Sequence, residues 1–450
     1  MCGFVAIITP DRDFSESDLN AMRDSLAHRG PDAASSWLDT LDSHKIGLAH
    51  RRLAIIDLSD AGLQPMFSQN GEASIVYNGE LYNYLALRQE LEARGRIFVS
   101  QSDTEVLLQA YLEWGTDCLS KLNGMFAFAI FDRRSRELFV ARDRLGEKPA
   151  YYVELPGGGI AVASEIKALL THPRVDVRVS RSELGKYLAG ASFEFGESTF
   201  FDRVHRIDAA HAMLIDNNGA ITRSWRYWTP NYDGVAEDLS LSDAAEQLLA
   251  LWSRSAEGRL QSDVPVGSSL SGGLDSSAIV GLIANHHSAK ERQHVFSVVY
   301  PSDPTLSEGR YIDAVARRYP VTRHSLEPSA EGLMDDWRMM HWHLEAPAKS
   351  ASVYNQYALM RLAKEAGVTV LLDGQGADEL MGGYQYYFGL RQLDLLERNR
   401  SGELERESAL FWWRLRANAK RYPDARRRFD PKPGYPLETL WERRDEAPRM

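Results

Sequence analysis

Up to residue 205 the chain is a series of short apolar runs. Phe4–Thr9, Lys45–Ile56, Ala73–Tyr77, Met125–Asp132, Glu137–Arg142 and Ile160–Ala163 are rich in β-branched, aromatic and small apolar residues. Turn-forming clusters such as YNGELYN and PGGG separate them, so they read as strands. Ser15–Ala27 and Tyr84–Arg94 have helical spacing, and Thr104–Trp114 reads as a third helix with Asp103 as its cap. The polar stretch TPNYDGVAEDLS, Thr229–Ser240, marks a linker. The texture then changes. Leu241–Leu260 is an amphipathic helix, and apolar runs then alternate with helices. They are Val266–Leu270, a helix, Val295–Tyr300, helices over Tyr311–Tyr319 and Val353–Ala366, and Val368–Leu372. That alternation predicts a parallel sheet with crossover helices. The C-terminal stretch, with FWWRLRANAKR and RRRFDPKPGYP, reads as helical and charge-rich. There is no internal repeat and no low-complexity tract.

Composition narrows the class without changing this picture. A chain of 450 residues accommodates two or three domains at about 150 residues each. A net charge of −11 argues against nucleic acid or an anionic membrane as the main partner. No run approaches the ~18 apolar residues of a membrane span. With only two cysteines, Cys2 and Cys118, a disulfide framework is excluded and a reducing cytoplasm is the expected location.

Two loops in the second half carry chemistry. In LSGGLDSSAIVGLIA, Leu270–Ala284, a strand ends at Leu270, Ser271-Gly272-Gly273 turns, and Asp275-Ser276-Ser277 opens a helix. Glycines let backbone N–H groups converge, and the helix start adds donors and partial positive charge. This makes a phosphate or pyrophosphate socket, and Asp275 within it implies Mg²⁺. The plain alternative is a Gly/Ser turn that only caps a helix. VTVLLDGQGADELMGGY, Val368–Tyr384, is a second strand with a Gly-rich acidic loop. In a parallel sheet both loops lie at the carboxyl edge, where ligands bind. Asp378 and Glu379 there could hold the same metal, or serve as a helix cap and a solvated acid.

MCGFVAIITP poses a separate question. Cys2 behind Met1 fits an export or lipidation signal, an incidental thiol beside a buried strand, or a catalytic residue made terminal by removal of Met1. Phe4–Ile8 is too short for a signal core and no basic segment precedes it, which removes the first.

SGGLDSS resembles the pyrophosphate loop of ATP-pyrophosphatase-type ligases, and no GK[ST] follows its glycines as in a P-loop. From Met1 to about Tyr387 the chain resembles the glutamine-hydrolysing asparagine synthetase family. The resemblance rests on MCGF, HRGPD, HRRLAIIDLSDAGLQPM, YNGELYNY, SDTEVLL, LNGMFAFAIFD, ARDRLGEKPAYY, ASEIKALL, LSGGLDSS and DGQGADELMGGY. It implies a class II glutaminase of the N-terminal-nucleophile fold, an αββα sandwich over 1–205. A connecting segment over 206–240 and a Rossmann-like adenine nucleotide alpha-hydrolase domain over 241–450 would follow.

By the same resemblance, Cys2 is the nucleophile and its α-amine the base. The Asn78 side chain and the Gly79 N–H receive the oxyanion. Arg52 pairs with the glutamine α-carboxylate, Asp103 and the Glu80 segment take the α-ammonium, and Leu53 and Ile55 complete the cradle. Taken alone, Asn78-Gly79 reads as a hairpin turn. Arg52, rather than Arg51, is chosen by motif register, and Cys118 reads as a core thiol.

Ammonia would cross a tunnel and attack a β-aspartyl adenylate in the second domain, with release of AMP and pyrophosphate. ATP would lie against Leu270 and Val298, with its pyrophosphate in Ser271, Gly272, Gly273, Asp275, Ser276 and Ser277. Asp373, Gly374 and Gln375 line the second loop, and Asp275 and Asp378 carry Mg²⁺. Small-molecule substrates and a homodimer are the expected partners.

Two departures keep alternatives open. Gln375 stands where asparagine-producing members often carry glutamate, which leaves a sugar-acid or peptide carboxylate as acceptor. Members usually add a distal block resembling DRxSMAxSxExRxPFLD with a lysine near the adenylate. PLETLWERRDEAPRM does not match it, which leaves a glutaminase-only protein as a further reading.

Overall fold

A computed structural model describes residues 1–397 and 402, apart from 11–13, 42, 191–193, 195, 232–238, 287–291, 304–306, 349 and 385. The chain divides into two compact units, Met1–Asp373 and Gly374–Met450.

The first unit opens with β1 (Gly3–Thr9), α1 (Glu16–Asp24), β2 (Ala33–Leu41), β3 (His44–Arg52), β4 (Met66–Phe67) and β5 (Ala73–Leu81). It continues through α2 (Tyr84–Ala93), α3 (Asp103–Trp114), β6 (Gly124–Asp132), β7 (Glu137–Arg142), β8 (Tyr151–Glu154) and β9 (Ile160–Ala163). Then come α4 (Ile166–Leu170), α5 (Arg181–Leu188), β10 (Val204–Arg206), β11 (His211–Ile215) and β12 (Ile221–Arg226). These strands form two six-stranded sheets, ordered β10-β8-β9-β1-β3-β2 and β12-β11-β7-β6-β5-β4.

Strand alternation stacks the layers. Phe4, Ala6 and Ile8 of β1 face inward and meet Val76 of β5 and Ala127, Ala129 and Phe131 of β6. Val5 and Ile7 point the other way, onto Leu19 and Met22 of α1 and Ile166 and Leu169 of α4. Ile75, Tyr77, Phe126 and Phe128 leave the second sheet on its outer side and pack on Leu87 and Leu91 of α2 and Val106 and Leu107 of α3. The result is the expected four-layer αββα sandwich. β1 is buried on both faces, which is why GFVAIIT shows no polar alternation. Each phenylalanine removed from water contributes about 1.5–3 kcal/mol.

The rest of this unit is α6 (Leu241–Arg259), β13 (Val266–Ser269), α7 (Leu274–His286), β14 (Gln293–Val298), α8 (Gly309–Arg318), β15 (Val321–Leu326), α9 (Ala330–Leu344), α10 (Ser352–Glu365) and β16 (Val370–Leu372). Its four strands pair in parallel in the order β15-β14-β13-β16. Val295 packs with Val280 of α7 and Ile312 of α8, while its neighbour Phe296 packs with Leu359 and Ala363 of α10. Helices therefore cover both faces, as the Rossmann-like expectation requires. Strand order reverses between β13 and β16, and such reversals open ligand crevices at the carboxyl edge.

Several elements differ from expectation. β3 stops at Arg52, and the following Leu53 and Ile55 leave the sheet to line a cleft. β11 and β12 lie within 206–240, where a connector is expected, yet β11 pairs with β7 and extends the second sheet. Their few residues are too short a signal. Asp103 does not cap α3. Ser102 does, its Oγ accepting from the Thr104 N–H at 3.1 Å. The hydroxyl reaches that N–H, and the Asp103 carboxylate is free to turn toward β5. β2, β15 and α9 form from stretches that carry no clear strand or helix pattern in the sequence.

The second unit holds α11 (Ala377–Met381) and α12 (Tyr386–Glu397). Left-handed Gly376 (φ 92°) and Gly382 (φ 67°) bound α11. FWWRLRANAKR and RRRFDPKPGYP lie outside the described residues.

Candidate functional site

The cleft at the start of β1 is partly open to solvent. Cys2, Arg52, Leu53, Ile55, Asn78, Gly79, Glu80 and Asp103 all line it. Residues from three other stretches of sequence thus share one cleft with the Cys2 thiol.

Cys2 sits where β1 enters the sheet, partly buried. Its Sγ accepts from the Leu53 N–H at 3.4 Å and lies 3.5 Å from the Leu53 carbonyl. Its own carbonyl accepts from Arg29 Nε at 2.7 Å. Burial pushes the thiol pKa up, and the charge of the terminal amine and the Leu53 N–H partly offset this. The Met1 amine is pushed down to about 5, chiefly by burial.

Asn78 and Gly79 lie inside β5, paired with Ala127 and Phe126 of β6, and not in a hairpin turn. The Asn78 side chain is 1% exposed and its Nδ2 has no hydrogen-bond partner. A buried, unpaired amide costs free energy unless a ligand meets it. Gly79 admits no Cβ, because one would lie 2.4 Å from the Met125 carbonyl oxygen.

Arg52 ends β3 with its guanidinium held by backbone carbonyls, Nη1 donating to Ser59 O at 2.6 Å and Nη2 to Asp57 O. A Cβ on Gly62 would come within 2.1 Å of that Nη2, so the glycine makes room for the guanidinium. Arg51 turns to the opposite side of β3, where its Nε lies 3.8 Å from Asp24. Asp103 is 5% exposed. Its Oδ2 accepts from the Tyr77 hydroxyl at 2.9 Å and from the Leu81 N–H at 3.0 Å. Burial raises its pKa to about 6 against those hydrogen bonds. Burial likewise raises Glu80 to about 7, opposed mainly by the charge of Lys148. Cys118, by contrast, is a buried core thiol pushed up to about 12 by burial.

Three contributors escape the sequence reading. Lys148 is buried and lines the cleft, and burial lowers its pKa. Gln64 receives the Tyr77 N–H on Oε1 at 2.6 Å and donates to Thr104 Oγ1 at 3.2 Å, joining β5 to the start of α3. Arg29 holds Cys2 from behind. Each lies within a quoted motif, but a single Lys, Gln or Arg in a loop has no spacing that marks it as inward-facing.

The second candidate site lies at the carboxyl end of β13. Leu270 is buried, its carbonyl accepting from Ser297 Oγ at 2.8 Å, and Val298 closes β14 beside it. The Ser271 N–H donates to Ser276 Oγ at 3.2 Å, and Ser277 Oγ donates to Gly273 O at 2.6 Å. The serines therefore shape the turn. Gly272 adopts φ 87°, and a Cβ there would meet Tyr311 at 3.0 Å. Asp275 lies in the first turn of α7, and Asp373 follows β16 with its Oδ2 3.4 Å from Gln356 Nε2. Gly374, Gln375 and Asp378 belong to the second unit. There, a Cβ on Gly383 would lie 1.8 Å from Asp378 Oδ1. Among the described residues, no three His, Cys, Asp or Glu side chains are grouped as a metal site. No described helix is long and apolar enough to cross a membrane.

Comparison with known proteins divides the chain into two matched regions. Residues 1–228 match the family described as "Glutamine amidotransferase domain", and residues 247–449 match "Asparagine synthase". Asparagine synthetase (glutamine-hydrolyzing) 3 of Bacillus subtilis is 33% identical over 441 residues, 95% of this chain and 70% of the relative. The chain belongs to the glutamine-hydrolysing asparagine synthetase family. A putative asparagine synthetase (glutamine-hydrolyzing) 2 of Methanocaldococcus jannaschii is 31% identical, covering 88% of this chain and 78% of the relative. Asparagine synthetase (glutamine-hydrolyzing) 1 of Bacillus subtilis is 34% identical, covering 89% and 62%. The chain thus spans 62% to 78% of the length of these three relatives. Members of this family are ATP-dependent carbon–nitrogen ligases.

Proposed function

We propose that the protein hydrolyses glutamine at Cys2 and uses the ammonia to amidate aspartate activated by ATP. The observation that carries this is the cleft itself. A thiol, an unpaired Asn78 amide, a guanidinium and a carboxylate converge where an amide substrate with an α-amino-acid head would lie. Removal of Met1 makes the Cys2 amine terminal. Burial pushes the Met1 amine in this cleft down to about 5, and in the processed chain the α-amine of Cys2 would take the thiol proton. Asn78 Nδ2 and the Gly79 N–H then stabilise the oxyanion, a contribution of about 2.7–4 kcal/mol for a single donor elsewhere. Arg52 takes the α-carboxylate, and Asp103 and Glu80 take the α-ammonium.

In the second half, the turn Ser271–Gly273 and the start of α7 receive the ATP pyrophosphate, and Leu270 and Val298 face the base. Gly272 lets the turn lie close against α8, where a Cβ would press on Tyr311 and the Glu308 carbonyl, and the backbone N–H groups of such a turn can face a phosphate. Mg²⁺, which commonly uses one or two carboxylates plus phosphate oxygens, would be held by Asp275 in the first turn of α7, with Asp378 the second carboxylate that the family resemblance assigns to it, and it would supply charge neutralisation to the pyrophosphate. A reducing compartment such as the cytoplasm keeps Cys2 a thiol.

One assay tests the reading. Glutamate and pyrophosphate are measured with glutamine and ATP while the acceptor is varied. Aspartate-dependent pyrophosphate is expected. Glutamate release without acceptor-dependent pyrophosphate removes the ligase reading. Cys2→Ala is expected to abolish glutamine hydrolysis while ammonia-dependent amidation persists.

A further inference from the structure

Behind Cys2 lies a buried row of charges that the glutaminase chemistry does not use. Arg29 donates from Nε to the Cys2 carbonyl and from Nη1 to Glu165 Oε1, both at 2.7 Å. The other carboxylate oxygen of Glu165 lies 2.5 Å from Lys167 Nζ. Lys167 Nζ lies 2.9 Å from Glu345. Glu345 closes the row by accepting the Ile166 and Lys167 N–H groups at 2.8 and 2.6 Å, at the start of α4.

The row joins distant parts of the chain. Glu345 is the C-cap of α9, held in a left-handed conformation (φ 57°) that a non-glycine residue rarely adopts. Its N–H donates to His341 O at 3.0 Å, which ties it to the helix. His28 adds a second bridge. Its Nε2 lies 2.9 Å from Glu165, and its ring meets Trp342 and His343 edge-on at 4.7 Å each. Lys167 Nζ also lies 4.5 Å from the Trp342 ring centre.

The side chains of Arg29, Glu165, Lys167 and Glu345 are all largely buried, at 8%, 9%, 12% and 8% exposure. Burial alone would raise the pKa of Glu165, but the His28 hydrogen bond and the Arg29 and Lys167 charges hold it well below the usual carboxylate range. Buried ion pairs are a poor source of stability compared with apolar packing, but they fix geometry. Arg29 presents a rigid fork, so any shift of Glu165 turns the guanidinium against the Cys2 carbonyl.

We propose that Lys167 is a positioning residue for glutamine hydrolysis, tying α9 through Glu165 and Arg29 to the backbone of Cys2. The placement of the nucleophile then depends on α9, which lies in the asparagine synthase region, while the glutamine-binding groups do not rest on that helix. The inference rests on the glutaminase reading of Cys2. Lys167 does not line the glutamine cleft, so its loss is felt by the attacking thiol and not by Arg52 or Asp103.

The test measures glutamate release by the full chain without ATP. Lys167→Met is expected to lower kcat about tenfold with KM within about twofold, the signature of a misplaced nucleophile. Lys167→Arg is expected to restore kcat. Glu345→Gln cuts the row from its far end and is expected to show the same kcat loss; it decides the matter where Lys167→Met fails to fold. Wild-type kcat in these variants, a KM that rises with the kcat loss, or no rescue by arginine overturns the proposal. A wild-type chain that hydrolyses glutamine beside an unaffected Lys167→Met overturns this inference alone. A wild-type chain that releases no glutamate overturns the glutaminase reading with it.

Discussion

At the residue scale the cleft is an arrangement of charges whose state burial controls. Asp103 is the clearest case. Its pKa is raised to about 6, burial being the largest cause, so the carboxylate is charged above that pH and neutral below it. A glutamine α-ammonium needs the charged form. Hence KM for glutamine is expected to rise as pH falls through about 6, by up to about tenfold per pH unit below it. Glu80, raised to about 7, titrates in the same cleft and contributes a separate, higher break. Steady-state glutaminase kinetics across about pH 5 to 8 check this. Asp103→Asn is expected to raise KM and erase the lower break while leaving the upper one. A lower break that survives in that variant removes Asp103 from substrate binding. The sequence makes Asp103 legible as a candidate through the SDTEVLL motif, yet alone it reads as a helix cap. Only the fold shows that Ser102 caps α3 and frees the Asp103 carboxylate to face β5. Lys148 and Gln64 are not legible, because inward orientation in a loop is decided by tertiary packing and leaves no period in the chain.

At the element scale, legibility follows length and periodicity. α6 and α10 appear within a residue or two of their expected limits because amphipathic spacing repeats over several turns. β1 and β6 are legible as apolar runs. β15 (Val321–Leu326) mixes Arg323 and His324 into a strand at the sheet edge, and β2 lacks a run of β-branched residues, so neither announces itself. The strand–turn–helix at β13 and α7 is legible because glycines and serines recur at fixed places. Its geometry makes a specific demand at Gly272, where a side chain would have to adopt φ 87° and press on Tyr311. Gly272→Ala is therefore expected to weaken ATP binding at least about tenfold by distorting the turn. Glutamate release without ATP should stay within about twofold of wild type, since the turn contributes nothing to the Cys2 cleft. Nucleotide binding by calorimetry beside the glutaminase assay separates the two. Equal loss of both activities would mean that the substitution disturbs folding and says nothing specific about the nucleotide turn.

At the scale of the whole molecule, both six-stranded sheets are complete within Gly3–Arg226. All three of their core clusters draw on residues before Tyr227, apart from the partly buried Tyr227 itself. A fragment of residues 1–228 therefore contains every layer of the sandwich, and it is expected to melt as one cooperative transition. It lacks, however, the supports that come from further along the chain. Asp263 accepts the Asp57 N–H at 2.8 Å and donates to Ile55 O at 2.9 Å, bracing the segment that carries Leu53 and Ile55 into the cleft. Arg259 lies over the Tyr82 ring at 4.2 Å, and Glu345 anchors the row that ends at Cys2. Loss of the Asp263 brace should loosen the wall of the cleft and raise KM for glutamine by roughly tenfold. Loss of Glu345 should lower kcat by about as much, so that kcat/KM falls by about a hundredfold if the two act independently. Restoring only the brace, by extending the fragment to residue 264, should recover KM and leave kcat low. Circular dichroism melting followed by glutamate release reads both quantities. A fragment that melts cooperatively and works at the full chain's kcat would show that the second half of the chain does not position the nucleophile.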